Sequence, residues 1–193
     1  SAGMRWFLKN KSELIADAEF ALNEGGTIEA GKGRPDIYMV STVEKAPLWL
    51  ELTAEGTAGH ASEPASDPAV ERLLRALDLI ARAPRPVRLI PSAELYFAQM
   101  GYPDIKKDLL DPEKAAKILE IPYNRALLTN TVSITQLKGS DKINTHPNRA
   151  QAGLDCRLLP GEPPEELLAG MKKLVGDDKV TFKVLLSESS RES

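Results

Sequence analysis

The stretch RAQAGLDCRLL, residues 149–159, has the clearest alternation of side-chain character in this chain. Every second residue from Ala150 is apolar, and the residues between them are polar, charged or glycine. A period of two residues is typical of a β-strand that buries one face. The stretch APLWLELTAEG, residues 46–56, alternates in the same way. The inward positions predicted for the two strands are Leu48, Leu50, Leu52, Ala54, Ala150, Ala152, Leu154, Cys156 and Leu158.

Two amphipathic helices and two further strands extend this pattern. After the turn GHASEP, Asp67 is predicted to cap a helix that begins at Pro68. A second helix, in PPEELLAGMKKLVG, has Pro163 near its start and Gly176 as its terminator. The stretches NTVSITQLKG and KVTFKVLL are predicted as strands. The inward helical positions predicted are Val70, Leu73, Leu74, Leu77, Ile80, Leu167, Met171, Leu174 and Val175.

The predicted order of these elements is strand, helix, strand, strand, helix, strand. This split βαβ order forms an antiparallel four-stranded sheet with two helices on one face. We therefore predict the α+β class, with a ferredoxin-like domain over residues 45–187. Residues 84–128 are punctuated by proline and are interpreted as an insertion with two short helices, in SAELYFAQM and DPEKAAKILE.

The first 43 residues form a separate block. A helix is predicted through MRWFLKNKSELI, followed later by a strand-like run, DIYMVST. The block is too small to bury its own faces, so we predict that it belongs to a larger body. The chain starts at SAGMRWFLKN and ends at SESSRES, and we expect an excised fragment.

The stretch GTIEAGKG, residues 26–33, has the spacing of a phosphate-binding loop up to its lysine. Gly33 stands where such a loop has Ser or Thr for magnesium. The loop should also open a helix, which Pro35 and the β-forming residues after it disfavour. We therefore predict a β-hairpin and no ATP site.

Composition narrows the classes of protein that this chain can be. With 42% apolar and 27% charged residues it should fold as a globule, and no apolar run is long enough for a membrane span. The net charge of −3 argues against a nucleic-acid partner. Its single cysteine, Cys156, excludes an internal disulfide and is typical of a reducing compartment, so we expect a cytoplasmic protein.

Four residues are candidates for chemistry, and each has an ordinary alternative. Glu24 ends an apolar run beside two glycines, where a carboxylate is usually a solvated turn residue. His60 is either a loop histidine or a donor to a developing oxyanion. Arg157 either pairs with Asp155 on the surface or grips a carboxylate, and Asn144 either caps its own backbone or binds a ligand.

Three stretches together resemble the zinc-dependent aminoacylase, carboxypeptidase and acetylornithine deacetylase family of metallopeptidases. They are DAEFALNEGG, then LWLELTAEGTAGHASEP, then LKGSDKINTHPNRAQAGLDCRLLPGE. The most specific part is the K-I-N-x-x-P turn followed by a strand ending in DCRLLPG. The EGG and the long insertion are similar to the Gly-X carboxypeptidase and N-acyl-amino-acid hydrolase branch.

The resemblance implies a two-zinc catalytic domain interrupted by a ferredoxin-like lid that also forms a homodimer. Residues 45–187 would be the lid, and residues 1–43 a fragment of the α/β catalytic domain. Glu24 would ligate a zinc ion. His60 would be catalytic, reaching into the partner's active site to stabilise the oxyanion. Asn144 and Arg157 would bind the substrate.

The activity implied for the parent protein is metal-dependent hydrolysis of amide bonds in N-acyl amino acids or small peptides. Zinc is the expected metal, with cobalt or manganese as alternatives. His60 and His146 are far apart in sequence, and the family's other ligands have no counterpart here. We therefore expect this chain alone to be inactive and to bind no metal. The alternative is a non-catalytic dimerisation or ligand-binding module.

Overall fold

The computed structural model describes residues 2–19, 26–31, 33 and 36–190, with the side chains of residues 2 and 29 left aside. The chain divides into two compact units, Ser1–Ser41 and Thr42–Ser193. Each unit is described by itself.

The first unit contains two short helices and a hairpin. Helix α1 spans Ala2–Asn10, and a 3₁₀ helix spans Ser12–Ile15, so the helix predicted through Ile15 changes type after its second turn. Strands β1 (Thr27–Glu29) and β2 (Ile37–Met39) pair antiparallel, which confirms the hairpin predicted for this stretch. None of the described residues in this unit is buried.

The second unit contains six strands and six helices among the residues described. Its elements, in chain order, are β3 (Ala46–Glu55), β4 (Gly59–His60), α2 (Ala69–Arg82), α3 (Pro91–Gln99), α4 (Ile105–Leu110), α5 (Pro112–Glu120), α6 (Pro122–Leu128), β5 (Thr131–Lys138), β6 (Thr145–His146), β7 (Arg149–Leu158), α7 (Pro164–Val175) and β8 (Val180–Ser187). No helix in the described part of the chain is long and apolar enough to cross a membrane.

The main sheet has four antiparallel strands in the order β5-β7-β3-β8. This is the strand order of the split βαβ fold, so the predicted ferredoxin-like architecture is confirmed. Alternate residues of β3 and β7 are buried, and all nine inward positions predicted for these strands are at most 3% exposed. Helices α2 and α7 pack on this face and, with Val180 of β8, supply the rest of the core.

The helices differ from prediction in three details. Helix α2 begins at Ala69 with Pro68 at its N-cap, and Asp67 makes no cap bond because its carboxylate pairs with Arg72 and Lys179 instead. Two residues predicted to point inward, Leu74 and Leu174, are 52% and 41% exposed, because they lie on helix flanks beyond the covered sheet. Gly176 ends α7 in the left-handed conformation, as predicted.

The insertion contains four helices, α3 to α6, where two were predicted. The prolines that suggested irregular chain begin three of these helices, because proline fits the first helical position. The insertion also has a small core of its own. This core consists of Ile90, Ala93, Phe97, Ile105, Ile118 and Leu128.

Candidate functional site

A two-residue ribbon holds His60 next to Asn144. Strand β4 pairs antiparallel with β6, so that His60 lies opposite Thr145. The Ala61 N–H donates to the Asn144 carbonyl at 2.9 Å. The structure therefore brings together two of the four predicted site residues, although 84 positions separate them in the sequence.

This ribbon continues the ladder formed by the two central strands. Glu55 of β3 lies opposite Arg149 of β7, and the next residue, Gly56, donates its N–H to the Asn148 carbonyl at 2.9 Å. The β4–β6 pairing follows with one extra residue on the β4 side. Since β3 and β7 are the central strands of the sheet, His60 and Asn144 are attached to its best-supported part.

The His60 ring presents one nitrogen as a donor. Its Nδ1 lies 2.7 Å from the Ser62 hydroxyl and also accepts the Ser62 backbone N–H at 3.2 Å. A ring nitrogen that accepts an N–H carries no proton, so the neutral imidazole has its proton on Nε2. The side chain is exposed, and an added Cβ at the neighbouring Gly59 would meet no atom within 4 Å. There is room at this ring for another molecule.

Arg157 lies on β7 and holds Asp155 in a bidentate pair. Its Nε and Nη2 atoms donate to the two carboxylate oxygens at 2.8 and 3.1 Å, and this carboxylate raises the pKa of the guanidinium. The surface pair considered as the ordinary alternative is therefore present. It uses two of the five N–H groups of an arginine, and the side chain remains 44% exposed.

Lys45 lies close to Arg157 and was not predicted as a site residue. Its Nζ donates to the Ala126 carbonyl at 3.0 Å, the Thr129 carbonyl at 2.7 Å and the Thr131 hydroxyl at 3.3 Å. Burial, together with the charge of Arg157, lowers the pKa of Lys45 to about 8. These bonds fasten the end of the insertion to the sheet beside Arg157. No sequence signal identifies them, because all three acceptors are more than 80 positions away.

The structure separates Arg157 from His60 and Asn144. Arg157 lies opposite Pro47 at the start of β3, whereas the β4–β6 ribbon follows the end of that strand. At about 3.3 Å per residue, the eight steps from Arg149 to Arg157 alone span about 26 Å. The predicted site residues therefore lie at opposite ends of the sheet, with His60 and Asn144 at one end and Arg157 at the other.

Metal binding has no support in the described residues. No group of three or more His, Cys, Asp and Glu side chains among them could hold an ion. His146 lies opposite Gly59 in the ribbon, and its Nε2 is buried without a hydrogen-bond partner. The predicted zinc ligand, Glu24, lies outside the described residues.

Comparison with known proteins finds one family and several relatives. The family model described as "Peptidase dimerisation domain" matches residues 43–182. A Mus musculus protein named N-fatty-acyl-amino acid synthase/hydrolase is 28% identical over 180 residues, which are 87% of this chain and 36% of that protein. Aminoacylase-1 of Dictyostelium discoideum is 25% identical over 165 residues, covering 84% of this chain and 36% of that protein.

One solved structure shows the same fold. An M20 family metallo-carboxypeptidase from Sulfolobus solfataricus aligns with a TM-score of 0.51 at 20% identity, covering 73% of this chain and 43% of that one. The chain spans about a third of the length of the curated relatives it matches.

Proposed function

The chain belongs to the M20 family of peptidase dimerisation domains, and on that premise we propose that it is the dimerising lid of a metal-dependent hydrolase. The proposed reaction is cleavage of the amide bond of N-acyl amino acids or small peptides. The names of the relatives, an N-fatty-acyl-amino acid synthase/hydrolase and an aminoacylase, support this substrate class. The metal ions, proposed as zinc, would be held by parts of the full-length protein beyond the described residues.

His60 is proposed as the donor to the oxyanion that forms when the amide carbonyl is attacked. The observation that carries this role is the exposed His60 ring, whose Nδ1 is occupied by Ser62 and whose Nε2 is therefore the nitrogen that can donate. A donor aimed at developing charge is typically worth roughly 3 kcal/mol of transition-state stabilisation. Asn144, held on the same ribbon, is proposed to bind the substrate beside it.

Arg157 is proposed to bind the substrate carboxylate through the N–H groups that Asp155 leaves unused. Asp155 also fixes the plane of the guanidinium, so less side-chain entropy is lost when a carboxylate binds. The scissile carbonyl and the carboxylate of an N-acyl amino acid are only a few bonds apart. One lid cannot bring His60 and Arg157 to the same small substrate across about 26 Å.

We therefore propose that each active site takes His60 and Asn144 from one protomer and Arg157 from the other. The outer strand β5 is the proposed dimer edge. Its Ile134 and Leu137 lie on the helix side of the sheet yet are 38% and 62% exposed. Ile134 and Leu137 form an exposed apolar strip, and Leu74 of α2 extends it. Leu74 lies one helical turn from Val70, whose side chain lies close to Gly139 at the end of β5.

A two-fold axis at this edge would produce the shared site. Two copies of β5 related by such an axis run antiparallel, and the exposed apolar strips face each other. The His60 end of one sheet then lies alongside the Arg157 end of its partner. The same contact thus explains the exposed apolar side chains and the separation of the site residues.

The test is complementation between two inactive variants of the full-length protein. His60→Ala and Arg157→Ala subunits with different affinity tags are coexpressed, and the heterodimer is purified through both tags. One of its two sites has an intact His60 and an intact Arg157, so about half of the wild-type turnover is expected. Each variant alone should lose turnover, by roughly 100- to 1,000-fold for His60→Ala.

The matched control is the heterodimer of His60→Ala with Asn144→Ala. Both changes lie at the same end of the sheet, so no site is restored and turnover should stay low. A His60–Arg157 heterodimer as inactive as its parents, with normal zinc content, would contradict the shared site. If the single variants are as active as wild type, these are surface residues and the chain is a non-catalytic dimerisation module.

A further inference from the structure

Four charged side chains close the base of the loop that carries His60. Arg72, in the first turns of α2, contacts three parts of the chain at once. Its Nε donates to Asp177 at 2.8 Å, its Nη1 donates to the Glu55 carbonyl at 2.6 Å, and its Nη2 pairs with Asp67. Although charged, the Arg72 side chain is only 12% exposed.

Lys179 closes the same cluster from the start of β8. Its Nζ lies 2.6 Å from the second oxygen of Asp67, and its backbone N–H donates to Asp177 at 2.9 Å. The Lys179 carbonyl accepts the Glu55 N–H at 3.0 Å. Each carboxylate of the cluster thus has two donors.

These four side chains, called the clasp below, hold both ends of the loop that carries His60. The loop leaves the sheet after Glu55 and returns to α2 at Asp67, and the Thr57 N–H donates to the Asp67 carbonyl at 2.8 Å. Space at this crossing is tight, since a Cβ added to Gly56 would lie 2.4 Å from the Asp67 carbonyl oxygen. Arg72 contacts the departing strand, the returning residue and the turn before β8 with its side chain alone, whereas Lys179 reaches Glu55 and Asp177 through its backbone.

We propose that Arg72 is a positioning residue for His60: it fixes the two ends of the loop so that the imidazole is held where the oxyanion forms. This proposal rests on the function proposed above for His60. The planar guanidinium directs its N–H groups to three acceptors in a fixed fork, a geometry that a lysine ammonium cannot reproduce. Packing of α2 on the sheet does not depend on it, because that contact is made by apolar residues.

The cluster is ionised at neutral pH. Lys179, followed by Arg72, holds the pKa of Asp67 below its usual value of 3.8, and Arg72 does the same for Asp177. A lowered folded-state pKa stabilises the fold above the usual carboxyl pKa, and this contribution is lost as pH falls through the lower value. The clasp is therefore complete throughout the neutral range.

The experiment compares Arg72→Gln with Arg82→Gln in the full-length protein. Arg82 is on the same helix and pairs with Asp78, but its side chain is 79% exposed and far along the helix from the loop. We expect Arg72→Gln to lower kcat roughly 10- to 100-fold, as misplacement of a catalytic group does, with KM, zinc content and dimerisation little changed. Arg82→Gln should leave kcat within about twofold.

A double variant separates positioning from general support. If Arg72 acts through His60, adding Arg72→Gln to His60→Ala causes no further loss of kcat. Losses that multiply would overturn the proposal. Arg72→Lys, which restores the charge without the fork, should recover only part of the activity.

Three further outcomes are decisive. Should Arg72→Gln not fold, Asp177→Ala takes its place, since it removes one acceptor of the clasp at a side chain that is 36% exposed, and normal kcat in that variant would overturn the proposal. If His60→Ala loses activity while folded Arg72→Gln does not, Arg72 is no positioning residue but the proposed function stands. If His60→Ala is fully active, the proposed function itself fails.

Discussion

Cys156 shows how far burial changes the chemistry of a single residue. Its side chain is 0% exposed between β3 and β5, and burial raises the pKa of the thiol to about 12. A thiol reacts as its thiolate, so the folded chain protects this residue both by exclusion and by protonation. Cys156 is a core residue with no role in the proposed site.

We expect iodoacetamide to modify Cys156 only when the sheet opens. At pH 8 the labelling rate, followed by mass spectrometry of the peptide that contains Cys156, should be at least roughly 1,000-fold below that of a free thiol. A Ser187→Cys variant provides the control, because this residue of the other outer strand, β8, is exposed and should react quickly. Rapid labelling of Cys156 in the native protein would contradict the buried strand.

The burial of individual residues was predictable where apolar and polar side chains alternate along a strand. All nine inward positions of β3 and β7 follow from alternation, because a strand side chain can point only to one face or the other. Arg72 was not predictable, since its partner Asp177 is 105 positions away and no local pattern joins them. For Arg157, the sequence offered both an ion pair and a ligand site, and only the pair with Asp155 is visible in the structure.

At the scale of elements, two glycines should respond in opposite directions to the same change. Gly56→Ala would place a Cβ against the backbone of Asp67 and Ala69, at 2.4 and 2.5 Å, and should destabilise the fold by about 1–3 kcal/mol. Gly170→Ala lies within α7, where a Cβ meets no atom within 4 Å, and should stabilise it by up to about 1 kcal/mol. Urea unfolding of both variants measures these changes, and equal stability at position 56 would contradict the tight crossing.

The strands were predicted more reliably than the insertion. Four strands and two helices with clear periodicity lead directly to the split βαβ order. In the insertion, prolines were interpreted as breaks, although Pro91, Pro112 and Pro122 start helices. A proline has both roles, and the sequence alone does not show which side of it is helical.

At the scale of the whole molecule, the two outer strands should differ in their effect on assembly. Leu137→Glu introduces charge on the β5 edge, where the residue is 62% exposed, and should convert the proposed full-length dimer into monomers. Leu185→Glu makes the same change on β8, at 53% exposure, and should leave the dimer intact. Light scattering coupled to size exclusion measures both. Dissociation by the β8 change alone would place the interface at the other edge.

The separation of His60 and Arg157 along the sheet has a consequence for how activity scales with the amount of protein. If, as proposed, neither chain completes an active site alone, the number of working sites follows the number of dimers. Far below the dissociation constant, dimers increase with the square of the chain concentration by mass action. Doubling expression of a scarce protein would then raise its output about fourfold. Such an enzyme has very little activity per chain at low concentration and gains activity per chain as its concentration rises, without any regulatory ligand.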